Sequence, residues 1–129
     1  MTVINLNKTR EITSSEDVID SRDVIDRIAW LESERDYDPE GWTADLQEEL
    51  LNLHRLAEEG EHDVADWKYG EALIRYSYFT AYCRELIEDC GYISKDFPNW
   101  IEIDWDATAR NMRVDFVELT FDGVVYLAR

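Results

Sequence analysis

Asp122-Gly123 stands between two apolar runs, residues 117–121 and 124–127, and Asp-Gly readily adopts the left-handed backbone conformations that a tight hairpin turn requires. The end of the chain is therefore committed to antiparallel β-structure. The segments upstream carry helical periodicity, so the class that follows is α+β: a small helical domain with a C-terminal antiparallel β-hairpin or small sheet. A length of 129 residues suits one domain able to bury a core without disulfides or metals.

Residues 1–20 read as an N-terminal arm, with Val3, Ile4 and Leu6 able to form a short edge strand, and residues 21–129 as one compact domain. Ser21, followed by Asp23, is placed to cap a first helix through Ile25, Ile28, Ala29 and Leu31 to about Arg35. After a turn cluster containing Pro39, Thr43 caps a second helix whose stripe is Leu46, Leu50, Leu53 and Leu56, and Gly60 is expected to end it. Its other face carries Asp45, Glu48, Glu49 and Glu59. The spacing of Ala72, Tyr76, Phe79, Cys83, Leu86 and Cys90 predicts a third helix, read as core packing, with Gly91 just beyond its end. Asp104 then caps a short fourth helix through Trp105, Ala109 and Met112.

Cys83 and Cys90 lie seven residues apart on the predicted third helix, about 10 Å between Cα atoms, which is too far for a disulfide. They read as buried thiols on one face. The first ten residues lack the apolar core of a signal peptide and no run approaches membrane-spanning length, so the expected compartment is the cytoplasm.

Charge is the outstanding compositional feature. Thirty acidic against 13 basic side chains give a net charge of −17, beyond what solubility requires in so small a domain. A direct nucleic-acid binder needs the opposite sign, and anionic membranes are disfavoured for the same reason. Five Trp, seven Tyr and four Phe supply enough apolar material to exclude a disordered acidic tail. The excess is also localised: residues 32–66 hold 13 acids and two bases, against six and four in residues 1–31 and 11 and seven in residues 67–129. Closely spaced carboxylates on a helical scaffold can stand in for nucleic-acid phosphates. The residues expected to form that surface are Asp45, Glu48, Glu49, Glu58, Glu59, Glu61, Asp63 and Asp66.

No catalytic or cofactor constellation emerges. The turn from Asp36 to Gly41 begins like an EF-hand loop, but Gln47 occupies the twelfth position, where a bidentate carboxylate belongs. His54, Glu58 and His62 have i, i+4, i+8 spacing, yet the expected helix end at Gly60 separates the second histidine. Glu102, Asp104 and Asp106 alternate as on a strand face, and Asp104 is better used as a cap. Ser77 has no neighbouring histidine, and there is neither a Gly-rich phosphate loop nor an HExxH pair. The expectation is therefore no enzyme, no cofactor and no metal.

The residues Gly70, Leu73-Ile74-Arg75, Ser77-Tyr78-Phe79, Tyr82, Glu85-Leu86, Glu88-Asp89 and Gly91 form one ordered set. It continues in Ile103-Asp104-Trp105, Ala109, Asp115 and Phe121-Asp122-Gly123-Val124-Val125-Tyr126. In order and spacing this set resembles the last domain of the ArdA-type antirestriction proteins and their phage-encoded relatives, over about residues 67–129. The resemblance implies an acidic homodimer that occupies the basic DNA groove of a type I restriction–modification enzyme or a related host defence protein in the bacterial cytoplasm. Two departures stand beside it. Only 66 residues precede the matching half, where longer members carry further α+β domains, and residues 50–59 are only a loose counterpart of the family's antirestriction motif. The competing expectation is a non-enzymatic adaptor or structural protein whose acidity is solvation and which recognises its partner through an aromatic patch such as Trp30, Trp42 or Trp100. A metal-dependent enzyme built on one of the acidic clusters is the third.

Overall fold

The computed structural model describes residues 8–129. Its core is a four-stranded sheet of β1 (Val18–Asp20), β2 (Ala72–Arg75), β3 (Val117–Phe121) and β4 (Val124–Ala128), ordered β1-β2-β4-β3 and antiparallel throughout. Around it lie α1 (Ser21–Tyr37), α2 (Ala44–Asp63), α3 (Phe79–Asp89) and α4 (Trp105–Arg113). The fold is thus α+β, as the hairpin and helical periodicities require. Side chains alternate across a strand, and here the alternation separates two cores. Leu73, Leu119, Phe121, Tyr126 and Ala128 face a cluster with Val24, Leu31, Leu50, Leu53 and Leu56 of α1 and α2. Ile74 and Leu127 point the other way, against Phe79 and Cys83 of α3 and Ala109 of α4. The three leucines of α2 are fully buried, each contributing roughly 2 kcal/mol of transfer free energy.

Several expectations hold in detail. The Thr43 hydroxyl accepts from Leu46 N–H at 3.2 Å, and the Asp104 carboxylate accepts from Ala107 N–H at 3.0 Å. Asp122 and Gly123 have φ of 48° and 76°, both left-handed as a type I′ turn requires. Gly91, with φ of 71°, follows the end of α3, where Tyr92 N–H reaches back to the Ile87 carbonyl at 3.2 Å.

Three expectations are corrected. The predicted third helix splits: Ala72–Arg75 is strand β2, Tyr76–Tyr78 is a 3₁₀ turn, and only Phe79–Asp89 is α-helix. A central strand covered on both faces is apolar at successive positions, which removes the alternation that would mark it. Gly60 does not end α2, which continues to Asp63; Trp67 packs flat on Gly60, and a Cβ there would overlap the indole ring. Cys83 is buried, but Cys90 is exposed beyond the end of α3, and both are free.

Strand β1, within the expected N-terminal arm, is an edge of the sheet, and Ile12 is buried in the larger core. Tyr126 Oη donates to the Glu16 carbonyl at 2.6 Å and Arg75 Nε to the Ser14 carbonyl at 3.0 Å, tying this segment down. Asp20, one residue before the expected Ser21, caps α1 by accepting from Arg22 N–H at 2.8 Å. The short strand proposed around Val3, Ile4 and Leu6 lies outside the described residues.

Candidate protein-binding surface

Helix α2 spans 20 residues, roughly 30 Å at 1.5 Å per residue, and lays its leucine stripe on the sheet beside the β3–β4 hairpin. This leaves two adjoining clefts between its outer flank and the hairpin tip, both lined in part by Asn52 and Asp122. The first, about 310 Å³, is lined by Glu11, Asp45, Glu48, Glu49 and Asp122, with no cationic side chain. The second, about 760 Å³, is lined by Glu58, Glu59, Asp63 and Asp122, but also by Arg55 and His62. Six of the eight carboxylates singled out from the sequence thus line one continuous depression. Glu61 and Asp66 are exposed elsewhere.

The eight are not equivalent. Asp45, Glu48, Glu58, Glu61, Asp63 and Asp66 are exposed, whereas Glu49 and Glu59 are partly buried. Glu49 forms a two-pronged ion pair with Arg27 of α1, Nε to Oε1 at 2.9 Å and Nη2 to Oε2 at 3.1 Å. The side chains are only 6% and 14% exposed. Arg27 also donates to the Thr9 carbonyl at 2.9 Å and stacks 4.7 Å from the centre of the Trp30 ring. Glu59 accepts from Thr120 N–H at 3.0 Å. In the β3–β4 register Leu119 and Phe121 face their β4 partners through hydrogen bonds while Thr120 N–H points off the sheet edge, so Glu59 caps an open edge donor. These two carboxylates hold the fold together, a role the 3.6-residue periodicity alone does not separate from solvation.

Sequence reasoning missed two members of the surface. Asp122 reads in the sequence only as a turn residue and Glu11 only as part of the N-terminal arm; both reach the clefts through long-range packing. Two cations share the second cleft: Arg55 and His62 lie about 20° apart around the outer face of α2. His62 hydrogen-bonds Asp63 at 2.7 Å, and that bond, reinforced by the carboxylate's charge, raises its pKa above the usual 6.5.

Among the described residues no group of three or more His, Cys, Asp or Glu is placed to hold a metal ion. His54 pairs with Glu32 at 3.1 Å and His62 with Asp63, although the unbroken helix now carries both histidines. Asp38, in the EF-hand-like turn, accepts from Gly41 N–H at 3.1 Å and caps the 3₁₀ helix Pro39–Gly41. Asp104 is a helix cap, so residues 102–106 do not form a strand face. Of the three tryptophans named for an aromatic patch, Trp30 and Trp42 pack against the larger core, and Trp42 Nε1 donates to Gln47 at 2.8 Å. Trp100 is 79% exposed. No described helix is long and apolar enough to cross a membrane.

Comparisons with family models, curated proteins and solved structures find no match. The chemistry of this surface is what bears on function.

Proposed function

We propose that this chain is an acidic nucleic-acid mimic that inhibits a host defence enzyme by occupying its basic DNA-binding groove, in the manner of the ArdA-type proteins it resembles. The single observation that carries this reading is the depression along α2 and the hairpin tip, where carboxylates from three separate parts of the chain converge on a rigid scaffold. Magnitude supports it. One strand of duplex DNA carries a charge every 3.4 Å, about nine over the roughly 30 Å length of α2. Helix α2 exposes Asp45, Glu48, Glu58, Glu61 and Asp63, and Glu11 and Asp122 stand beside it, seven carboxylates against those nine phosphates. The mimicry thus extends to one phosphate row over about a helical turn, less than a full duplex footprint.

In this reading the recognition carboxylates are the exposed ones of the depression, Asp45, Glu48, Glu58 and Asp63, with Asp122 and Glu11 added, and exposed Glu61 and Asp66 extend the same charge beyond it. Glu49 and Glu59 position the helix that presents them. The protein acts in the bacterial cytoplasm, as a homodimer whose contact uses the less charged C-terminal half, and it uses neither cofactor nor metal. The test is capture of partners from a bacterial lysate at low and high salt, followed by competition with duplex DNA. Partners retained at low salt should bear nucleic-acid grooves and be displaced by DNA; retention insensitive to both would refute mimicry.

One observation favours the adaptor reading. Tyr92 and Trp100, 80% and 79% exposed, lie with Phe97 and Ile101 in the α3–α4 connection, a concentration of apolar surface suited to a salt-insensitive protein contact.

A further inference from the structure

On the opposite side of the sheet from α2, one face of α4, the first turn of α3 and the 3₁₀ turn before it enclose a cleft of about 270 Å³ lined by Tyr76, Phe79, Thr80, Asp106, Ala109, Arg110 and Arg113. Its chemistry is the reverse of the acidic depression. Arg110 and Arg113, at i and i+3, occupy one face of α4. Neither has a carboxylate within ion-pair distance among the described residues, a condition they share with Arg55, Arg75 and Arg129; the arginines at 10, 22, 27, 35 and 84 are paired. Arg113 is held in place, its guanidinium 5.4 Å from the centre of the Tyr76 ring and its Nη1 donating to Tyr76 Oη at 2.6 Å. Because Tyr76 Oη accepts that bond, its own proton remains available to donate. Thr80 adds a second hydroxyl at the wall, while buried Phe79 and Ala109 form an apolar floor.

We infer that this cleft binds a phosphate group, as inorganic phosphate or a small phosphate monoester. Two guanidiniums against one carboxylate leave local positive charge, and two guanidinium forks with two hydroxyls supply more donors than a carboxylate's two oxygens can use. The volume lies below the roughly 300–1,000 Å³ of drug-sized sites, which limits the ligand to a phosphate and a short attached group. The C-terminal end of α4 favours cations through its dipole; that accounts for arginines in the last turn but not for their convergence with two hydroxyls in one concavity. The acidic surface does not cancel the site. It lies across the sheet, two layers or roughly 20 Å away, more than two screening lengths of about 8 Å at physiological ionic strength. On the near side, Glu85 is engaged by Tyr78 and Glu88 by Arg84.

The test is a titration of the full chain with sodium phosphate, followed by amide chemical shifts, with sodium chloride holding ionic strength constant. Saturable shifts should map to residues 76–80 and 106–113. Arg110→Gln should weaken binding about fivefold and the Arg110→Gln/Arg113→Gln double variant at least about tenfold, since each guanidinium contributes charge-assisted donors. Arg35→Gln, on α1, should bind like wild type. Arg113 bonds Tyr76, so the double variant could disturb local packing; Arg110 makes no such bond, and the single variant carries the test alone. Shifts no larger than those with chloride, unchanged affinity in Arg110→Gln, or equal affinity for acetate would overturn the assignment.

Discussion

Replacing Glu49 by Gln should cost stability even though the protein carries a large acidic excess. Relief of repulsion predicts the opposite, since removing one of 30 acids from a chain of net charge −17 lowers self-repulsion. The geometry decides against it. Arg27 and Glu49 are almost wholly enclosed, and both oxygens of Glu49 are used. A glutamine keeps one acceptor but turns an NH₂ toward a guanidinium N–H, leaving a buried cation with a donor facing a donor. Removing one partner of a buried pair costs about 3–5 kcal/mol. The isosteric change and the residual exposure of Glu49 place this case near the lower end, about 3 kcal/mol. That corresponds to a fall in Tm on the order of 10 °C for a domain of this size. Urea unfolding should show a lower midpoint with unchanged slope. Glu48→Gln, one residue away but exposed, should stay within about 0.5 kcal/mol of wild type. If Glu49→Gln matched Glu48→Gln, the Arg27 pair would not be structural and Glu49 would return to the recognition surface.

Three further outcomes follow. Gly60→Ala should destabilise by about 2 kcal/mol or more in thermal melts, because the added methyl overlaps Trp67 and outweighs the gain in helix propensity; a neutral or stabilising result would refute the packing role. Tyr126, its pKa pushed up to about 12 chiefly by burial, gives stability fully present below the unfolded value near 10 and lost as pH rises from about 10 to 12; alkaline unfolding curves should show this loss, and Tyr126→Phe should abolish that component while costing about 1 kcal/mol at neutral pH. His62 shares its cleft with Arg55, Glu58, Glu59, Asp63 and Asp122, and its pKa is raised by Asp63. The charged form therefore persists above pH 6.5 and dilutes the acidic surface. Binding to a basic partner should strengthen as pH rises through that raised value, and His62→Asn should flatten the profile.

The sequence made the amphipathic α2, the caps at Thr43 and Asp104, and the Asp122-Gly123 hairpin legible because each depends on residues within a few positions of one another. What escaped it depends on distant partners. Strand β2 is hidden because helices cover both faces of the sheet, and Gly60 looks like a stop because nothing nearby in sequence shows that Trp67 packs on it. The same distinction divides the candidate surface. Charge counting located residues 32–66, but only the contacts with Arg27 and Thr120 separate Glu49 and Glu59 from the exposed carboxylates, and only tertiary packing adds Glu11 and Asp122.

That separation refines the central experiment, in which a partner captured from lysate is presented with three forms of the protein. The recognition variant changes Glu48, Glu58 and Glu61 to Gln and Asp63 to Asn, leaving Glu49 and Glu59 to hold the fold. The control changes Glu88, Glu102 and Glu118 to Gln and Asp89 to Asn, removing equal charge from exposed positions elsewhere. If the α2 surface replaces phosphates, the recognition variant should keep its melting temperature yet lose on the order of 1 kcal/mol or more of binding, mostly as a slower association rate that is less sensitive to salt. The control should bind like wild type. Equal loss from both variants, or loss from neither, would contradict the claim that this surface is the recognition element.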